Sequence, residues 1–471
     1  MSVANTHHGA FRIERMIQNS QKRSIFFVGI GGINMSSLAH ISLVRGMKVG
    51  GSDRTRSALT DRLSAEGIDI FYSHDASNIE GYDILVYTVA ISEDNPEYVA
   101  ARRKGIPCIS RADYMGYLMT GYERRIGISG MHGKSTCTSM CAEALMLANT
   151  DPTILSGAEL ASMKGAYRVG GEEYFLFEAC EYMDSFLDFN PTISVILNIE
   201  MDHVDYFKSM EHIKQSYLSF ARLSGRQGIC VANMDSRNVR EALSEYEGTV
   251  VWFGLGNDRA DFRAVNIIQS RGCYGFDILA FGEYLCSVQL KVGGYHNIYN
   301  ALATAAALTA SGINGEDIKR GLEAFTGASR RMEYKGEMNG ARVFDDYGHH
   351  PTEVRATLAG ARDMTEGEGR LFCVFQSHTY SRTAALLDEF AEALNIADRV
   401  VITDIYAARE TDTKGITPEL FAERIGEKAV ACPAFYKAAE VLRKELSEGD
   451  IAIVMGAGDV WHTFDFLDLK K

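Results

Sequence analysis

The sequence predicts an α/β protein of three units, each an open, mostly parallel sheet with helices on both faces. Three observations predict it. Short apolar runs alternate with helical patterns along most of the chain, the mark of parallel strands joined by crossover helices. Three of those runs end in Gly-rich turns, at Gly29–Gly32, Gly130–Gly133 and Gly456–Gly458. The 471 residues amount to about three domains of ordinary size, roughly 100–200 residues each.

In the first unit, Ser24–Val28 is a strand, the turn Gly29-Ile30-Gly31-Gly32 follows, and Met35–Arg45 is a helix. Met47–Gly51 and Ile84–Thr88 are further strands, and Pro96–Lys104 is helical. The second unit opens with the strand Arg125–Ser129, a loop from Gly130, and the helix Ser135–Ala148. Buried strands follow at Tyr174–Phe177 and Thr192–Asn198, with helices at Asn297–Ala310 and Glu316–Phe325. The third unit starts near Arg330-Arg331. Its strands are Ala341–Phe344, Arg370–Phe375, Arg399–Thr403 and Asp450–Met455. Helices fit between them at Pro351–Ala361, Thr383–Asn395 and Thr417–Ile425, with Ala438–Leu446 before the last strand.

Composition sets outer bounds. With 46% hydrophobic and 23% charged residues, the chain has ample material for several cores. A net charge of −14 argues against nucleic acid as a partner, because a phosphate backbone wants a basic face. Nine scattered cysteines without a CxxC pair read as reduced thiols of a cytoplasmic protein. Cys137 and Cys141 fit small buried residues on a helix face. No apolar run reaches the ~18–20 residues of a membrane helix, so no membrane insertion is expected. Residues 1–20 carry no apolar stretch of a secretory signal.

The stretch Gly130-Met131-His132-Gly133-Lys134-Ser135-Thr136 lies between a strand and a helix. Glycines let successive N–H groups turn toward phosphate oxygens, and the helix N-terminus adds partial positive charge. Lys134 can reach the β- and γ-phosphates of ATP, and a hydroxyl of Ser135 or Thr136 can ligate Mg²⁺. Only two residues separate Gly130 from Gly133, where the general phosphate loop has four.

The turn at Gly29, with Asp53 after the next strand, suits NAD, another nucleotide or a bare tight turn; Asn34 stands where a dinucleotide fingerprint wants glycine. Glu178 and Glu181 follow one buried strand, and Asn198, Asp202 and His203 follow another. Both groups then sit at carboxyl strand ends, the ligand-binding edge of open α/β sheets. Asp345-Asp346-Tyr347-Gly348-His349-His350 and Gln376–Thr383 repeat that placement in the third unit. Thr352 is a candidate helix cap. His349 is a candidate base or carboxylate anchor, and Arg382 suits bidentate binding of a carboxylate or phosphate.

In this order, the stretches FVGIGGINMSSLA, GMHGKST, FEACEYMDSFL, NIEMDHVDYF, GYHNIYNALA, GASRRMEYKG, DDYGHHPTE, FQSHTYSRT and GAGDVW resemble the Mur ligases, and within them the alanine-adding branch. The resemblance covers nearly the whole chain. It implies an N-terminal Rossmann-like domain for a UDP-sugar (1–123), a central P-loop ATPase-like domain (124–328) and a C-terminal Rossmann-like domain for an amino acid (329–471). It implies ATP-dependent ligation of L-alanine to UDP-N-acetylmuramate through an acyl phosphate, in a monomer or weak homodimer. Carried onto matching positions, Lys134, His203, His349 and Arg382 would be catalytic. Gly130 to Thr136, Asn297, Arg330, Asp345 and Asp346 would hold ATP. Ser135, Glu178 and His203 would hold Mg²⁺. Gly31, Ser52, Asp53 and Thr88 would line the UDP site, and Tyr347 and His378 would orient the other substrates.

Two positions depart from the family pattern. Met131 replaces the usual Thr of GTHGKT. The stretch Gln215–Phe220 has no lysine where many sibling ligases carry a carbamylated one. The rival readings are a ligase that joins a ready-made tripeptide to the same sugar nucleotide, a nicotinamide oxidoreductase, and a nucleotide-binding interaction protein without turnover.

Overall fold

A computed structural model of the chain describes residues 24–88, 91–203, 206–270, 272–365, 368–408, 410–411 and 415–470. The expected first unit begins at residue 1, and its first 23 residues, with the reading of residues 1–20, lie outside the described residues.

The chain forms three sheets in succession. The first holds β1 (Ser24–Val28), β2 (Lys48–Ser52), β3 (Asp69–Phe71), β4 (Ile84–Tyr87) and β5 (Cys108–Ser110) in the order 3-2-1-4-5. All its pairings are parallel. The middle sheet has ten strands: β6 (Arg124–Ser129), β7 (Thr153–Leu160), β8 (Gly165–Arg168), β9 (Tyr174–Glu178), β10 (Ile193–Ile196), β11 (Ile229–Asn233), β12 (Thr249–Gly254), β13 (Phe262–Ser270), β14 (Cys273–Ala280) and β15 (Glu283–Gly293). Its parallel centre places β6 between β10 and β9. The third sheet holds β16 (Glu333–Met338), β17 (Ala341–Asp346), β18 (Leu371–Phe375), β19 (Arg399–Ile402), β20 (Ala429–Ala431) and β21 (Ile451–Met455), with β21 between β17 and β18.

The fully buried strands match the sequence reading, because both faces of a parallel sheet are covered and the strand is apolar throughout. β1, β18 and β21 are buried at every residue. The antiparallel ribbon β13–β14–β15 is absent from that reading. Its strands are half exposed, and bulges between Val265 and Ile268 and between Ile278 and Leu279 interrupt the two-residue alternation. The expected helix Thr383–Asn395 is two helices, Tyr380–Ala385 and Leu387–Leu394, broken at Leu386.

The joints between units differ in chemistry. One apolar cluster runs from Ile41, Leu118 and Met119 of the first unit to Phe175, Phe177 and Phe186 of the second. The second and third units meet in charged contacts: Asp202 with Arg382, His132 with Glu353, Glu200 with Thr352. Among the described residues no helix is long and apolar enough to cross a membrane. All nine cysteines are free, and Cys137 and Cys141 are buried against Thr304.

Candidate active site

β6 runs into a loop whose two glycines hold positive φ, 144° at Gly130 and 83° at Gly133. Gly133 needs more than a free φ: an added Cβ would lie 2.6 Å from Asn300 Oδ1. The helix α1 (Lys134–Leu147) starts directly after it. Asn198 fixes the loop from the next strand, accepting from His132 N at 2.9 Å and donating to His132 O at 3.0 Å.

Lys134 lies across this loop. Its Nζ donates to Gly130 O at 2.5 Å and pairs with Glu181 Oε2 at 3.0 Å. Burial opposes the ammonium, but the buried Glu181 carboxylate raises its pKa overall. Glu181 Oε1 also lies 3.3 Å from His203 Nε2, so Glu181 links Lys134 to His203. His203 sits at a φ of 50°.

Ser135 Oγ donates to Glu178 Oε2 at 2.8 Å. A hydroxyl and a carboxylate meeting beside a phosphate loop are hard oxygen donors, the set Mg²⁺ prefers. His203 reaches Glu181, the neighbouring acid, so the structure supports the oxygen pair of the expected metal set more directly than its histidine.

Met131, which the family pattern left unexplained, is 6% exposed and belongs to the apolar cluster that joins the first two units. Its side chain serves packing, and its carbonyl accepts from Lys134 Nζ at 3.2 Å.

Beside the loop lies a cavity of about 220 Å³. His132, Gly133, Thr136, Asn297 and Asp346 line it. Arg330 and Asp345 lie outside its lining. Arg330, at a φ of 56°, turns its guanidinium to Gly456 O at 2.6 Å and stands 3.5 Å from Asp345. Arg331 faces the cavity instead. Adjacent residues at a turn point to opposite sides, so the pair of arginines divides. Tyr347 lies against both guanidiniums, at 5.0 and 5.3 Å.

His132 bridges two acids of two units: Glu200 Oε2 at 3.3 Å from Nε2 and Glu353 Oε1 at 3.4 Å from Nδ1. Burial opposes its charge, but the two acids push its pKa up to about 9. His350 packs on it with centroids 4.9 Å apart. Thr352 N donates to His350 Nδ1 at 3.3 Å. His132, Glu200 and His350 are close enough to hold a metal ion. In the absence of an ion the two acids hold His132 in its charged form, and the cluster is a charge network.

The amino-acid residues converge on the same junction. Arg382 Nη2 and Asp202 Oδ1 are 3.0 Å apart, and Arg382 Nη1 is 3.5 Å from His378 Nδ1. His378 stacks on Tyr406 at 5.4 Å and meets His349 at 5.9 Å. Burial lowers His349 to about 4, so its imidazole is neutral.

The first sheet carries its own site. Gly31 N donates to Asp53 Oδ2 at 2.9 Å, and a Cβ on Gly31 would lie 2.7 Å from that oxygen. Thr88 stands beside Gly29. Ser52 turns its hydroxyl inward to the fully buried Glu97 at 2.9 Å. Glu97 also takes His74 Nδ1 at 2.8 Å and Asn78 Nδ2 at 2.8 Å. Sequence reasoning missed this acid; its only signal was a charged residue in the first turn of a helix after Asn95-Pro96.

The comparisons agree with this geometry. Residues 24–123, 128–308 and 330–458 match the models of the Mur ligase family catalytic domain, the Mur ligase middle domain and the Mur ligase glutamate ligase domain. A UDP-N-acetylmuramate–L-alanine ligase of Acetivibrio thermocellus is 46% identical over 443 residues, covering 93% of this chain and 94% of its own. The solved UDP-N-acetylmuramate–alanine ligase of Thermotoga maritima superposes with a TM-score of 0.76 at 28% identity, over 94% of this chain and 98% of that one. A murein peptide ligase of Psychrobacter arcticus shares the fold, with a TM-score of 0.67 at 21% identity, over 95% and 99%. Three domain models of one family together cover most of the chain, and the chain belongs to the Mur ligases.

Proposed function

We propose that the chain joins L-alanine to the lactyl carboxylate of UDP-N-acetylmuramate, with ATP cleaved to ADP and phosphate, as a step of peptidoglycan precursor synthesis in the cytoplasm. The observation that carries this reading is the 46% identity to an alanine-adding ligase over nearly the whole of both chains. The junction geometry supports it: the phosphate loop and the Arg382–His349–His378 group face one another across the second and third units.

A carboxylate is a poor electrophile, so phosphoryl transfer first converts it to an acyl phosphate. Lys134 would leave Glu181 for the γ-phosphate and stabilise charge on the transferring group. Ser135, Glu178 and His203 would hold Mg²⁺, which neutralises phosphate charge when bound. The cavity lined by Asn297, Arg331 and Asp346 would take the adenosine. Arg382 would bind a substrate carboxylate, and His349 would receive the amine's proton. The turn with Gly31, Asp53 and Thr88 would take the UDP group, with domain limits at 123/124 and 328/329.

The test is ADP release with UDP-N-acetylmuramate and a panel of amino acids, against the tripeptide accepted by the recycling ligases. L-alanine gives the highest kcat/KM. A clear tripeptide preference would sink the reading.

A further inference from the structure

Glu353 lies in the first turn of the helix α2 (Pro351–Arg362) and is 10% exposed. Its Oε2 accepts from His349 N at 3.0 Å and His350 N at 3.3 Å. Those two bonds are a helix cap, and glutamine makes the same cap without charge. The remaining contacts go beyond a cap. Oε2 is also 3.3 Å from His349 Nδ1, while Oε1 is 3.4 Å from His132 Nδ1 and 3.6 Å from Arg331. One carboxylate thus touches an imidazole of the phosphate loop with one oxygen and an imidazole of the amino-acid group with the other.

His349 Nδ1 is hydrogen-bonded to Tyr347 O at 3.1 Å, and a carbonyl only accepts, so the proton sits on Nδ1 and the Nε2 lone pair is the ring's only basic position. Glu353 Oε2 lies 3.3 Å from the same nitrogen as a charge beside the ring. Although burial opposes its ionisation, His349, His132 and Arg331 hold Glu353 well below the usual carboxylate range. A base aimed by a third group is the arrangement that amine activation needs.

We propose that Glu353 is a positioning residue for amide formation: its charge beside Nδ1 supports His349 as Nε2 takes a proton from the incoming amine, and it ties that geometry to the phosphate loop through His132. The inference rests on the ligase reading above. In the step it serves, the ammonium of the amino acid gives a proton to His349 Nε2. The freed amine attacks the acyl-phosphate carbonyl and the C–N bond forms; the nitrogen passes its second surplus proton to the leaving phosphate oxygen as the C–O bond to that oxygen breaks. Phosphate leaves with the electron pair, and the imidazolium returns its proton to phosphate or water. Burial and the nearby Arg382 disfavour the imidazolium, and Glu353 opposes both. A substrate carboxylate on Arg382 removes one of those opposing charges.

The experiment compares wild type and Glu353→Gln in the full chain with two nucleophiles. One is L-alanine, which must lose a proton. The other is hydroxylamine, which is already neutral at pH 7 and gives a hydroxamate. Glutamine keeps the cap, so the fold and the hydroxylamine rate stay within about threefold of wild type, while kcat with L-alanine falls at least tenfold. Wild-type rates with both nucleophiles would reduce Glu353 to a cap and overturn the proposal. An equal loss with both would also overturn it, placing the defect in phosphoryl transfer. If Gln lowers stability, Glu353→Asp carries the same comparison, because it keeps a first-turn carboxylate and shortens its reach. If wild type takes no L-alanine but takes the tripeptide, the ligase reading fails separately, and the comparison runs with the tripeptide's amine.

Discussion

Arg382 Nη2 and Asp202 Oδ1 lie 3.0 Å apart across the junction of the second and third units, with side chains only 12% and 7% exposed. Burial works against the Asp202 carboxylate, yet Arg382 holds it well below the usual carboxylate range. Removing one partner of such a pair strands the other charge, at a cost of about 3 kcal/mol or more. Arg382→Ala therefore loosens the third unit, seen as an earlier, separate step in calorimetric unfolding, and raises KM for the amino acid. Arg382→Lys keeps the charge and loses the planar fork, so it restores much of the stability and little of the activity. An alanine variant with one unshifted transition would remove this pair from the junction's energetics.

Lys134→Ala abolishes ligation. It also leaves the buried Glu181 carboxylate without its ammonium partner, so the variant loses stability as well. The double variant Lys134→Met/Glu181→Gln removes both charges of the buried pair. It regains melting temperature relative to Lys134→Ala and stays inactive, because no cation remains to meet the phosphate. Recovery of turnover in the double variant would contradict the assigned role of Lys134.

His132 gives the junction a pH limit. Its folded pKa, about 9, is raised above the ordinary ~6.5. Its two ion pairs therefore contribute fully below pH ~6.5, and that contribution fades as pH rises through about 9. Small-angle scattering should find the third unit less tightly docked at pH 10 than at pH 7. The His132→Gln variant should show a smaller difference between those two pH values. An equal change in both proteins would place the titration elsewhere.

Met131→Thr installs the residue usual in the family. The Met131 side chain is buried in the cluster shared by the first two units, so the shorter polar residue costs about 1–3 kcal/mol. KM for ATP stays within twofold, since the loop's N–H groups are unchanged. A large drop in that KM would show that the threonine hydroxyl reaches the nucleotide.

Local features were legible in the sequence. Apolar strands, the glycine turns and the acids and histidines that follow strands can each be read within about ten residues, and the family resemblance placed them in one enzyme. What could not be read depends on distance or on side-chain direction. Thr352 meets Glu200 across 152 residues, and Arg382 meets Asp202 across 180. Arg330 and Arg331 are chemically equal in sequence, and only the turn's backbone separates them. Glu97 gave no sign of its burial, because its partners are Ser52 at the end of β2 and His74 and Asn78 farther on. Thr352 was the expected cap, whereas His350 caps the helix together with Glu353, whose second oxygen matters only once His132 of another unit arrives.

The contacts of Lys134 also bear on how ligands select one another. Its ammonium is neutralised by Glu181, with Glu178 close by. A triphosphate that draws Nζ away leaves two acids short of a cation, and a divalent ion beside Ser135 and Glu178 supplies one. Each ligand would thus relieve a charge imbalance that the other creates. Linkage would make the effect mutual: nucleotide would tighten ion binding by the same factor that the ion tightens nucleotide, so the loop would favour the metal–nucleotide pair over either component alone.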